Sequence, residues 1–133
     1  SNDGGLTWED ERTDTSLISV SGGCQGSVLG VGNILFYSGP AGCKITDTTD
    51  NRANLTIYRS SNGGITWQNK HLLYDKASGY ICITQLNNGD FAIVFETADT
   101  NGFIRIPGSR PAGWMRLDVM VLPKEIALKE YWF

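Results

Sequence analysis

The chain has 133 residues, 41% hydrophobic and 11% aromatic, which is ample for a packed core and excludes a disordered segment. A formal net charge of -3 without any Lys or Arg run argues against an electrostatic grip on nucleic acid or anionic lipid. No stretch approaches the roughly 18 apolar residues of a membrane span, and three cysteines with one histidine, His71, lack zinc-site spacing, so neither a transmembrane segment nor a metal or other cofactor is expected.

In chain order, Ser1-Asn-Asp-Gly-Gly-Leu-Thr-Trp8 comes first and recurs about 60 residues on as Ser60-Ser-Asn-Gly-Gly-Ile-Thr-Trp67. Ser and Asp or Asn supply side-chain oxygens for local backbone N–H groups, and the glycines accept positive φ. The motif therefore predicts a tight turn that a Trp folds back to cover. Short β-rich runs are expected at 27–31, 34–38, 55–59, 65–68, 80–85, 91–96 and 115–122. Gly32-Asn33 and Asn87-Asn88-Gly89-Asp90 supply hairpin chemistry between them. Cys24 and Cys43 are open to bridging in an oxidising compartment, whereas Cys82, in an apolar run, reads as a buried core thiol. After Pro123, residues 124–129 fit one helical turn. The alternation of Ile126, Leu128, Tyr131, Trp132 and Phe133 fits a closing strand, which is the favoured reading.

Four strands per unit, with one turn motif per unit, is the arithmetic of a β-propeller blade. The fold class expected is all-β, with residues 1–133 holding two to two and a half blades of a six-bladed propeller. Two blades alone would leave apolar faces and open strand edges, and the chain begins inside a motif. It is therefore expected to be a piece of a longer polypeptide.

The pattern Ser1, Asp3, Gly5, Thr7, Trp8 resembles the Asp box, or BNR repeat, of the sialidase (neuraminidase) family at all five defining positions. The copy at 60–67 departs once, with Asn62 for Asp. Between and after the boxes the resemblance extends to the family's functional segments, and it covers residues 1–99 well. Arg52-Ala-Asn-Leu-Thr-Ile57 is similar to the segment carrying the third arginine of the sialidase triad, which would make Arg52 a ligand of the sialic acid carboxylate. A guanidinium suits this because its planar fork meets both carboxylate oxygens. Ala77-Ser-Gly-Tyr80 is similar to the segment of the catalytic tyrosine, though Ile81 stands where the family usually has Ser. A phenol nucleophile fits because the anomeric carbon of sialic acid already bears a carboxylate that would repel an anionic one. Phe91-Ala-Ile-Val-Phe-Glu96 resembles the strand whose glutamate orients the first arginine of the triad.

The resemblance implies the C-terminal part of an exo-α-sialidase, a retaining glycoside hydrolase acting on sialylated glycoproteins, gangliosides and oligosaccharides, with the preceding blades of the same propeller as partner. The first two arginines, the acid/base aspartate and the glutamate that activates the tyrosine are not placed in this chain. Glu9, Asp10, Glu11 and Arg12 match none of them. Catalytic competence is accordingly expected of the complete polypeptide and not of these residues alone. The compartment is open, with secreted or lysosomal favoured. The competing reading is a non-catalytic Asp-box propeller that binds glycans or proteins. In plainer terms Arg52 would be a solvated loop residue, Tyr80 an ordinary strand tyrosine, Glu96 a strand-end carboxylate, and Asn54-Leu-Thr56 a glycosylation acceptor.

Overall fold

Alternating apolar positions separated by Gly- and Asn-bearing turns give six strands and one helical turn. In the computed structural model, which describes residues 1–18, 20, 23–44, 50–101, 103 and 116–129, these are β1 (Ser27–Val31), β2 (Ile34–Pro40), β3 (Ala53–Ser60), β4 (Gln68–Gln85), β5 (Phe91–Ala98), β6 (Arg116–Leu122) and α1 (Lys124–Ala127). All six strands form one antiparallel sheet in chain order. The β1–β2 hairpin closes from Val31 to Ile34 through Gly32 at φ 57°, a left-handed conformation that glycine adopts without steric cost. At the β4–β5 turn Gly89 takes φ 91°, and the Leu86 and Gly89 amides donate to the Asp90 and Leu86 carbonyls.

β4 is three times the usual strand length and does two jobs. Its first part pairs with β3, from Arg59↔Gln68 to Ala53↔Ala77, and its second part pairs with β5, from Ala77↔Ala98 to Gln85↔Phe91. The sheet thus contains a group of four strands and a group of three that share β4, and it curls between them. The Ile83 amide in the second half of β4 reaches the Ser27 hydroxyl on β1 at 3.2 Å. Phe36, Leu55 and Ile57 from one group meet Ile81, Ile83, Phe91, Ile93 and Phe95 from the other in one buried cluster. Phe36 and Phe91 touch edge to face at 4.8 Å across the junction.

Three expectations are corrected here, two in the secondary structure and one, taken up below, in the burial of Cys82. Residues 65–68 are not a separate strand. The Ile65 and Thr66 amides turn inward to the Asn62 carbonyl and side-chain oxygen, so the ladder can begin only at Gln68. After Pro123 the chain makes the helical turn instead of the favoured strand. The Pro123 carbonyl accepts from the Ile126 and Ala127 amides, the Asp90 carboxylate accepts from the Lys124 amide, and Ala127 is wholly buried against the core. Residues 131–133 of that strand lie outside the described residues.

Both Ser-Asx turns form. In the first, Ser1 Oγ accepts from the Gly5 amide, and Asp3 accepts from the Thr7 amide and hydroxyl at 2.9 and 2.7 Å. In the second, Ser60 Oγ accepts from the Gly64 amide and Asn62 Oδ1 from the Thr66 amide, while Asn62 Nδ2 donates to Thr66 Oγ1 at 2.9 Å. One hydrogen bond has reversed direction and the geometry is kept. Trp67 folds onto Gly64 and meets Tyr37 edge-on. Trp8 also folds back over Gly5, as expected, and remains 81% exposed because no described strand lies beneath it. Cys82 is exposed as well, because alternation along β4 sends Ile81 and Ile83 inward and Cys82 outward. Cys24 and Cys43 are free thiols.

Candidate functional site

Three elements converge where β4 changes partner. The pairing of β4 with β5 shifts register between Ser78 and Ile81, an irregularity of the kind that re-aims a side chain, and Tyr80 sits within it, 48% exposed. Arg52 immediately precedes β3, and Glu96 lies near the end of β5. The structure brings all three residues together. The Arg52 guanidinium carbon stands 5.5 Å from the centre of the Tyr80 ring, and the Tyr80 amide donates to Glu96 Oε2 at 3.2 Å.

Glu96 can come this close because residue 79 is glycine. A Cβ there would lie 2.6 Å from Glu96 Oε2 and 3.2 Å from both Glu96 Cβ and Phe103 Cε2. Arg52 is held at three points. Its amide donates to Asp50 Oδ1 at 3.0 Å, its carbonyl accepts from the Ser78 amide at 3.0 Å, and its Nη2 donates to the Gly23 carbonyl at 2.8 Å. Among the described residues no carboxylate pairs with its guanidinium; the ion pairs there are Lys76–Asp99, Arg116–Asp99 and Arg116–Asp118. Partly buried, with one nitrogen engaged by a carbonyl, Arg52 keeps donors for an incoming anion. Cys24 faces the same cluster. Burial raises its thiol pKa, opposed by Arg52 and reinforced by Glu96 and Asp50.

Reasoning from sequence did not single out Asp50, Gly79, Gly23 or Phe103. Asp50 is 5% exposed and accepts the Arg52 and Phe103 amides on one oxygen. Its spacing two residues before Arg52 is an Asx-turn signal available in the sequence, but its bond to Phe103 is not. Asn54 donates from its side chain to the Gly42 carbonyl at 2.6 Å and takes φ 61° within the irregular start of β3, so the amide of the glycosylation motif serves the fold. No hydrogen bond reaches the Tyr80 hydroxyl among the described residues. Neither a group of metal-ligating side chains nor a helix long and apolar enough to cross a membrane occurs among them.

No family model matches the chain. A curated protein of Bacteroides fragilis (strain YCH46), named sialidase, is 32% identical over 107 residues, covering 71% of this chain and 18% of the relative. The chain thus spans under a fifth of that protein's length.

Proposed function

This chain belongs to the sialidase family, and we propose that it supplies one side of an exo-α-sialidase site within a larger β-propeller. The observation that carries the reading is the convergence of Arg52, Tyr80 and Glu96 from three elements onto one partly open surface, with the guanidinium unpaired by any described carboxylate. In this reading Arg52 binds the sialic acid carboxylate through charge-assisted hydrogen bonds. The Tyr80 hydroxyl gives its proton to the glutamate supplied by the rest of the protein and attacks the anomeric carbon; the glycosidic C–O bond breaks as the aglycone oxygen takes a proton from the acid/base aspartate, and water then hydrolyses the glycosyl-tyrosine bond with net retention. Glu96 braces the Tyr80 backbone through one oxygen and is available to an arginine of the complete site through the rest of its carboxylate.

The two Ser-Asx turns are then Asp boxes at 1–8 and 60–67. The four-strand group is one blade, the three strands from the second half of β4 to β6 belong to the next, and the continuous β4 is the outer strand of one running into the inner strand of the other. Six blades, sialylated glycans as substrate and the remaining blades as partner belong to the same proposal. The acid/base aspartate and the glutamate needed to activate Tyr80 come from outside this chain, so residues 1–133 expressed alone are expected to show no turnover.

The test is hydrolysis of a fluorogenic sialoside by the complete protein, wild type beside Tyr80→Phe, with matching circular dichroism for the two. Wild type should turn over, and the variant should lose more than about a thousandfold in kcat. Turnover by Tyr80→Phe within about tenfold of wild type would remove Tyr80 as nucleophile. Sialoside binding without hydrolysis by wild type would replace the enzyme with a non-catalytic glycan-binding propeller.

A further inference from the structure

The Arg52 side chain lies on a segment with little regular structure of its own, yet its backbone is fixed from both directions. The agent on one side is a carboxylate that burial would make costly unless it were satisfied. Asp50 Oδ1 accepts from the Arg52 amide at 3.0 Å and from the Phe103 amide at 3.2 Å, and the Asp50 amide in turn donates to the Phe103 carbonyl at 3.0 Å. The same bonds therefore anchor two things at once. They set the backbone from which Arg52 projects, and they hold Phe103, whose ring lies against Gly79 beside Glu96. A side chain of different reach at 50 would disturb the arginine and the backing of the glutamate together.

We propose that Asp50 is the positioning residue of this site: by geometry rather than by charge it sets where the Arg52 guanidinium stands relative to Tyr80. The role in substrate binding rests on Arg52 being the carboxylate anchor. The geometric role stands without it, because the contacts are with backbone amides. Both amides converge on a single oxygen, so a neutral isostere keeps the clamp, whereas a longer acid keeps the charge and displaces the oxygen.

The test compares Asp50→Asn, Asp50→Glu and Asp50→Ala in the complete protein by two readouts: steady-state sialoside hydrolysis, and the rate at which phenylglyoxal modifies Arg52, mapped by mass spectrometry. Asp50→Asn is expected to keep KM within about twofold of wild type and to leave the modification rate unchanged. Asp50→Glu and Asp50→Ala are expected to raise KM about tenfold, with kcat within about threefold, and to make Arg52 react several times faster. If Asp50→Glu matches wild type while Asp50→Asn fails, charge and not position is at work and the proposal falls. It falls too if neither readout moves in any folded variant. Should wild type hydrolyse no sialoside, the functional reading fails separately and the modification rates alone decide: faster in Asp50→Glu supports the clamp, equal rates refute it.

Discussion

At the scale of single residues, the two Ser-Asx turns differ by one oxygen for one nitrogen, and that difference has a measurable consequence. Asp3 has its pKa lowered from 3.8 to about 2, chiefly by the Thr7 hydroxyl and then by the Thr7 amide and the Ser1 hydroxyl. A carboxyl whose folded pKa is depressed contributes its full stabilisation above its unfolded value and loses it as pH falls through the folded one. The first turn should therefore loosen between about pH 4 and about pH 2, seen as a shift of the Thr7 amide resonance. The Thr66 amide, held by the neutral Asn62, should not move over that range, and Asn62→Asp should confer the same acid response on it. An acid shift of Thr66 in the unaltered chain would show that something other than the Asx side chain titrates. The turn chemistry was legible in the sequence because donor and acceptor lie four residues apart. Arg52 and Tyr80 were singled out from the segments around them, and their roles belong to the proposal, whereas the bond from Asp50 to Phe103 spans 53 positions and follows only from how β3 begins and β5 ends. Cys82 misled for a related reason: composition marks a side chain as fit for burial, but the side of the strand decides whether it is buried.

Among elements, β4 shows where local pattern stops informing. Its second half carries the alternation Ile81, Cys82, Ile83 and was expected as a strand; its first half, rich in polar residues, was not. Pairing with β3 completes it nonetheless, a tertiary override of propensity. The curl of the sheet brings Phe36 of β2 against Phe91 of β5, and both rings are fully buried at the junction of the two strand groups. Phe91→Ala in the complete protein should cost about 3–5 kcal/mol by denaturant unfolding, since it removes an aromatic side chain from a site lined by strands that cannot collapse inward freely. A loss under about 1 kcal/mol would mean that the two groups do not share a core.

Over the whole molecule, the outward face of the second group is apolar where solvent meets it. Leu117, Val119 and Val121 on β6 are 70%, 67% and 54% exposed, beside Val94 on β5. No described strand pairs with the far edge of β6. An apolar strand with an open edge is a template for association. Residues 1–133 on their own should self-associate with rising concentration in sedimentation velocity, and Leu117→Lys with Val119→Lys should suppress this. A monomeric wild-type chain at high concentration would contradict the expectation. The strand that belongs to both groups has a different consequence for how the molecule comes apart. Because the backbone from Gln68 to Gln85 is a ladder partner of β3 along one half and of β5 along the other, neither group can melt without fraying the strand on which its neighbour depends. The two therefore form one cooperative unit, and the register on which Tyr80 rides survives or is lost with that unit as a whole.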